Sequence, residues 1–251
     1  MKTATIEGLT MATRNVLTYG NTKTAKGEAS GYLTGILHLA PGALSGAQVC
    51  PKASAGCLAA CLNTAGRGRF DKIQQARIAK TRWLFDDRSS FMEALVKSVG
   101  ATVRKAQREG MIPCIRLNGT SDLPWEKFKC VRDGVEYRNP MEAFPDVQFY
   151  DYTKIPARAL KWARGDMPSN YHVTFSASES NDDQSRMVAM AGGNVAVVFD
   201  QIPTAYYGRS VVDGDNSDLR FLDPVGVIVG LKAKGDAKLD DSGFVKRVAA
   251  A

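Results

Sequence analysis

Histidine is scarce in this chain: His38 and His172 are the only two among 251 residues. That rules out a centre built mainly from histidines, and neither residue stands in a recognisable nucleophile-elbow or triad motif. Long apolar runs are missing as well. None approaches the roughly 20 residues that span a bilayer, and the opening MKTATIEGLTMATRN has no hydrophobic signal core, so a cytosolic protein without a membrane partner is expected. Residues 230–244, GLKAKGDAKLDDSGF, lack the Gly-x-x-x-x-Gly-Lys-Ser/Thr order of a phosphate loop, and Gly66 with Gly68 is too short for a dinucleotide fingerprint. These absences move the common hydrolases and nucleotide enzymes out of the front rank. No fixed-period repeat or low-complexity segment stands out either.

Cysteine, by contrast, is concentrated. Cys50, Cys57 and Cys61, three of the five, fall within the stretch CPKASAGCLAACLNTAGRGRF at 50–70. Six residues separate the first two and three separate the last two, so Cys57 and Cys61 share a face if Cys57 opens a helix. Thiolates grouped in this way favour a soft metal: zinc, Cu(I) or an iron–sulfur cluster. Two other readings compete, a disulfide with one thiol left over and three buried small apolar side chains. A structural zinc normally takes four protein ligands. An iron–sulfur cluster with three cysteines and one open iron fits the local count better. His38, or Cys114 just ahead of Ile115, is a candidate fourth ligand.

The composition, 44% hydrophobic and 24% charged, is that of a globular chain, read as a single α/β domain over 1–251. Residues 52–105 carry eleven Lys/Arg against four Asp/Glu, an excess of seven that equals the whole net charge of +7. Such a block is either a solvated helical face or a surface for an anionic partner, with Arg67, Arg69, Lys72, Arg77 and Lys80 as the nucleic-acid contacts.

The first thirty residues are polar and read as irregular or edge strands. Residues 31–41 read as a strand delivering the chain to the cysteine loop. Residues 71–85 predict a helix with Ile73, Ala76, Ala79 and Trp83 inward and Lys72, Arg77, Lys80 and Arg82 off that side. A second helix is expected from the Ser90/Glu93 capping pattern, with Phe91, Leu95, Val99 and Val103 repeating every four residues and Gly110 as the stop. From Met111 onward, short apolar strands alternate with helical stretches at 156–164 and 182–191, which predicts a parallel sheet. A full or partial (β/α) barrel is the leading architecture and a doubly wound open sheet the second. In either, working residues gather at the carboxyl ends of the strands. Asn118, Asp122, Asp151, Ser178 and Glu179 stand there, with Arg116, Tyr152, Lys154, Ser176 and Asp200 nearby.

The cysteine loop, LNGTSDLPW at 117–125, YDYTK at 150–154 and GLKAKG at 230–235 resemble the gene product 88-like family of bacteriophage proteins, over most of the chain. The loop also resembles, more weakly, radical S-adenosylmethionine (SAM) proteins. Their signature places three cysteines before the first helix of a partial barrel and leaves one iron of a 4Fe–4S cluster for the cofactor. Some phage members similarly have six residues between the first two cysteines; here the last interval is three rather than the usual two, and no aromatic residue precedes Cys61. The resemblance implies a cluster on Cys50, Cys57 and Cys61 with SAM-dependent or redox chemistry; in an enzyme, the strand-end residues Asn118, Asp122, Asp151, Ser178 and Glu179 would orient what the open iron binds. A phage-encoded protein would work in the host cytoplasm. The competing readings are a nucleic-acid-binding module with a structural metal and a zinc-stabilised structural protein.

Overall fold

The computed structural model describes residues 15–20, 22–61, 63 and 66–248. Residues 1–14, part of the expected irregular segment, lie outside the described residues. The described chain opens with an edge strand, β1 (Leu17–Thr18), followed by a helix the sequence reading missed, α1 (Thr22–Glu28), and then β2 (Tyr32–Leu37). Two short helices, α2 (Gly42–Ser45) and α3 (Ala55–Ala59), carry the chain through the cysteine loop to α4 (Asp71–Asp86) and α5 (Arg88–Glu109). Helix α5 buries Phe91, Leu95 and Val99, as their spacing requires, and ends at Gly110 with φ 66°. Its N-cap is Asp87 rather than Ser90, the carboxylate accepting the Ser90 N–H at 3.1 Å. Helix α4 faces differently from expectation: Arg77, Thr81, Trp83 and Leu84 are buried, whereas Ala76 and Ala79 are exposed. Polar contacts set that face. Arg77 Nη1 donates to Asn63 O and Oδ1 at 2.7 and 2.9 Å, and Thr81 Oγ1 accepts the Ala40 N–H at 2.8 Å.

The second half alternates as its sequence predicts: β3 (Ile112–Arg116), β4 (Cys130–Arg132), β5 (Val135–Tyr137), α6 (Pro140–Ala143), β6 (Gln148–Thr153), α7 (Pro156–Ala163) and β7 (Tyr171–Ser176). It continues with α8 (Asp182–Met190), β8 (Val195–Phe199), β9 (Ala205–Tyr206), β10 (Arg209–Asp213), β11 (Ile228–Lys232) and β12 (Val245–Lys246). The main sheet has ten strands in the order β1-β2-β3-β6-β7-β8-β11-β10-β9, with β12 paired to β8; β4 and β5 form a separate hairpin.

From β2 to β8 the strands run parallel, and each new one is added on the same side of the last. Right-handed crossovers then place α5, α7 and α8 on one face, where Ile115, Phe149, Val173, Phe175 and Val197 form the core with them. The step from β10 to β11 runs the opposite way along the sheet. The same handedness therefore carries residues 214–227 across the other face. There Leu219 packs on Cys114 and Tyr150, and Arg116 Nη1 meets Asp218 Oδ2 at 2.9 Å.

The sheet is open. Short antiparallel strands, β1 and β9, terminate its two edges, which corrects the expectation of a full barrel. The order from β2 to β8 never reverses, so α5, α7 and α8 share one face, while the crossover from β10 to β11 covers the other. Among the described residues no helix is long and apolar enough to cross a membrane.

Candidate functional site at the carboxyl end of the sheet

The parallel strands bring the segments after β3, β6 and β7 to one rim, and a buried polar lattice fixes them. Asn118 Oδ1 accepts the Ser121 hydroxyl at 2.8 Å, the Leu123 N–H at 2.9 Å and Trp125 Nε1–H at 3.0 Å. Its N–H donates to Asp151 Oδ1 at 2.6 Å, and the Tyr171 hydroxyl donates to Asp151 Oδ2 at 2.9 Å. Asp151 is 0% exposed. Burial pushes its pKa up to about 7 despite the Asn118 hydrogen bond and the charges of Arg158 and Arg116. Asp122 accepts Thr153 Oγ1–H and Arg158 Nη1–H on one oxygen and the Lys154 N–H on the other, each at 2.8 Å. Burial raises its pKa, with Arg158 opposing. Arg158 also forks onto Glu126, both contacts at 2.9 Å. Asn118, Asp122 and Asp151 therefore serve chiefly to hold the strand ends in place.

The cysteine loop is fastened across this rim from two sides. On the β3 side, the Asp122 N–H donates to Val49 O at 2.8 Å, and Cys50 Sγ donates to Thr120 O at 3.8 Å. On the β7 side, Glu179 accepts the Ser54 hydroxyl on one oxygen and the Gly56 N–H on the other, both at 2.8 Å. Ser54 is also the N-cap of α3, its hydroxyl accepting the Cys57 N–H at 3.3 Å. Glycine is required next to Cys57. A Cβ on Gly56 would stand 2.6 Å from Ser242 Oγ and 2.7 Å from Phe244 Cβ. Between the fastenings lies Lys154, whose Nζ donates to Ser176 Oγ at 2.9 Å and Ala177 O at 3.2 Å and sits 5.5 Å from the Phe244 ring centroid.

Cys50, Cys57 and Cys61 are half-buried and none is in a disulfide; Cys61 Sγ accepts the Asn63 N–H at 3.4 Å. Burial, then the charges of Asp122, Cys57 and Cys61, push the Cys50 pKa up to about 12. Burial also raises that of Cys57, against the pull of the Lys154 ammonium. Lys154 in turn is lowered by burial, against Cys57, Asp122, Glu179 and Cys50. The thiols are thus close enough to influence one another's ionisation. Among the described residues, however, no group of three or more His, Cys, Asp or Glu side chains is arranged to hold a metal ion.

Of the two fourth-ligand candidates, only His38 is at the rim. A Cβ on Gly119, the residue before Thr120, would lie 2.7 Å from His38 Nδ1. Cys114 is 0% exposed near the middle of β3, with Sγ 3.1 Å from Thr34 Oγ1 and Leu219 packed over it. That position takes it out of the ligand set. His172 is buried low on β7 against Trp162, ring centroids 4.4 Å apart. Ser178 closes a turn, its N–H donating to Asn181 Oδ1 at 2.7 Å.

Two members of the basic block turn inward. Arg77 is buried against Asn63, and Lys80 Nζ donates to Val16 O at 3.1 Å, where burial and Arg77 lower its pKa to about 8. Arg69 and Lys72 are exposed, and the Arg67 side chain lies outside the described residues. Sequence reasoning missed Ser54, Gly56 and Phe244 as parts of the rim. A serine three residues before Cys57 is a cap signal that could have placed the start of α3; Phe244 carried none.

The gene product 88 family model matches residues 13–248. No curated protein and no solved structure matches the chain. With nearly its whole length inside that one match, the chain belongs to the gene product 88-like family of bacteriophage proteins.

Proposed function

We propose that the rim is a thiolate site for a 4Fe–4S cluster held by Cys50, Cys57 and Cys61, with one iron left for an outside ligand such as SAM or a redox partner. The open, mostly parallel sheet is then a relative of the partial barrels of radical SAM proteins. The observation that supports this most is the placement of three cysteines, none in a disulfide, on one loop that Glu179 and the Asp122 backbone fasten to the carboxyl end of a parallel sheet, where α/β folds assemble their sites. Burial disfavours the thiolate forms of Cys50 and Cys57, and a coordinated thiol is deprotonated outright. The positive charge of a bound cluster's irons would offset that cost.

Cluster ligands bind different irons and stand farther apart than donors converging on one ion. The described residues are not drawn together as a donor set for a single ion, so either a cluster or zinc requires the loop to close further. Binding draws the three thiols inward and so orders the loop further. Lys154 sets a positive charge beside the thiolates, Glu179 and Asp122 seat the loop, and Asn118 and Asp151 lock the ends of β3 and β6. The cluster supplies the redox or Lewis-acid chemistry when bound. A nucleic-acid module with a structural metal is the weaker reading, since Arg77 and Lys80 are turned onto the protein's own oxygens.

The test is the iron content of anaerobically prepared Cys→Ala variants. Cys57→Ala loses the cluster, and Cys114→Ala keeps it. Full iron in Cys57→Ala rejects the proposal.

A further inference from the structure

Where the sheet meets the rim, β7 and β8 part. Their pairing covers only Phe175 with Val195 and Ser176 with Ala196, and the last link is the Ala177 N–H to Ala196 O at 2.8 Å. Beyond it the chain turns away to Ser178 and Glu179. The opposite edge of β8 is occupied by β11 through Leu231 and Lys232. The vacated edge is filled from the far end of the sequence: Val245 pairs with Val198 and Lys246 with Phe199, in parallel.

This last strand is a wedge with a roof on it. Its preceding residue, Phe244, spans the site, with its Cβ against Gly56 and its ring over the Lys154 ammonium. Ser242 Oγ crowds Gly56 from the same side. The wedge therefore touches both halves of the thiol rim, the cysteine helix α3 and the end of β6.

The wedge is fastened locally, beside β8: the Asp200 N–H donates to Lys246 O at 3.2 Å, Lys246 Nζ stands 3.8 Å from Asp182 Oδ1, and half-buried Val248 packs on the neighbouring core. Val245 is its one buried apolar side chain, at 2% exposure. The Val245 N–H is bonded to Asp240 Oδ2 at 2.9 Å, within the same segment, and the Val248 N–H to Asp200 Oδ1 at 3.1 Å. The approach to it is exposed, with Leu239 at 85% and Asp241 to Gly243 all open to solvent. Few buried contacts and a solvent-exposed approach mark a segment that opens locally without unfolding the rest.

We propose that residues 240–248 form a detachable latch: β12 seats in the β7–β8 gap and closes Phe244 over Cys57 and Lys154, and its release opens the rim to an incoming ligand. The consequence for a ligand rests on the rim being the working end, but the latch itself does not, so it is tested in metal-free protein. Hydrogen exchange on the full chain is the first measurement. The Val245 and Val248 amides exchange about 10-fold or more faster than Ala177, which belongs to the sheet proper; equal protection overturns the latch.

Alkylation with iodoacetamide, resolved by mass spectrometry, is the second. In Val245→Ser and Phe244→Ala, Cys57 reacts about 10-fold faster than in the parent, as expected when a local closing equilibrium is weakened, while Cys114 stays protected. Unchanged Cys57 rates with Cys114 protected overturn the proposal. Should Val245→Ser expose Cys114 and so report unfolding, Phe244→Ala decides, because it leaves the buried anchor in place. These readouts need no metal, so an absent cluster and an absent latch give separate results.

Discussion

Replacing Glu179 by glutamine isolates what the β7 fastening does for the cysteine loop. Both carboxylate oxygens are engaged, one by the Ser54 hydroxyl and the other by the Gly56 N–H, at 2.8 Å each. Burial disfavours the charge, but those hydrogen bonds and Lys154 lower the pKa of Glu179, so it is ionised at neutral pH. Hydrogen bonds to a charged group contribute about 1.5–3 kcal/mol each. Glutamine can accept only through its one carbonyl oxygen, and its amide presents a donor where Ser54 or Gly56 also donates. One charge-assisted bond is lost and the other becomes neutral. A loss of about 2 kcal/mol, local to the loop, corresponds to roughly 30-fold at 1.4 kcal/mol per tenfold change. Native-state hydrogen exchange reads it directly. In Glu179→Gln the Gly56 and Cys57 amides exchange about 30-fold faster, while those of β6 and β7 are unmoved because the loop opens without them. Gly56 and Cys57 protection within twofold of the parent would show that the fastening does not hold the loop.

Three further expectations concern the scaffold. Gly56→Ala forces a Cβ into Ser242 and Phe244 and costs about 1–3 kcal/mol by overpacking, read by denaturant unfolding; a cost near zero would mean that α3 shifts freely. Arg158→Leu leaves Asp122 and Glu126 without their shared cation and destabilises by about 3–5 kcal/mol; a loss under about 1 kcal/mol contradicts the lattice. The third concerns pH. The Asp151 pKa is raised from 3.8 to about 7, so the folded state holds the proton more tightly than the unfolded one. Its contribution is complete below about pH 4 and is lost as pH rises to about 7, on the order of 4 kcal/mol at 1.36 kcal/mol per unit. Asp151→Asn removes that loss, so its stability relative to the parent improves from pH 4 to pH 7. A pH-independent difference would refute the assignment.

The repeating parts of the fold were legible because their periods are simple. The four-residue repeat of Phe91, Leu95 and Val99 gave α5, and runs such as VAVVF gave buried parallel strands. The β4–β5 hairpin was legible too and went unread: Asp133-Gly134, with φ 52° and 80°, is a two-residue hairpin turn signal. The facing of α4 was not, since Arg77 is drawn inward by Asn63, a partner that no helical period reveals. Whether a row of parallel strands closes depends on its edges. Here the edges are β1, β9 and a returning crossover, none of which carries a strong pattern. At the site, cysteine spacing and strand ends pointed to the rim where the cysteine loop is fastened. They left unspecified that Asp122 and Asp151 are consumed in support and that a strand some 190 residues after Cys57 supplies the roof.

The central claim is that three thiols on this rim hold a cluster. Purifying the chain anaerobically and measuring iron, acid-labile sulfide and zinc on one sample, with the EPR spectrum after reduction, tests it most directly. The account predicts about four iron and four sulfide per chain and a reduced-cluster signal that changes when SAM is added. Stoichiometric zinc without sulfide, or a well-folded chain with no metal at all, would contradict it.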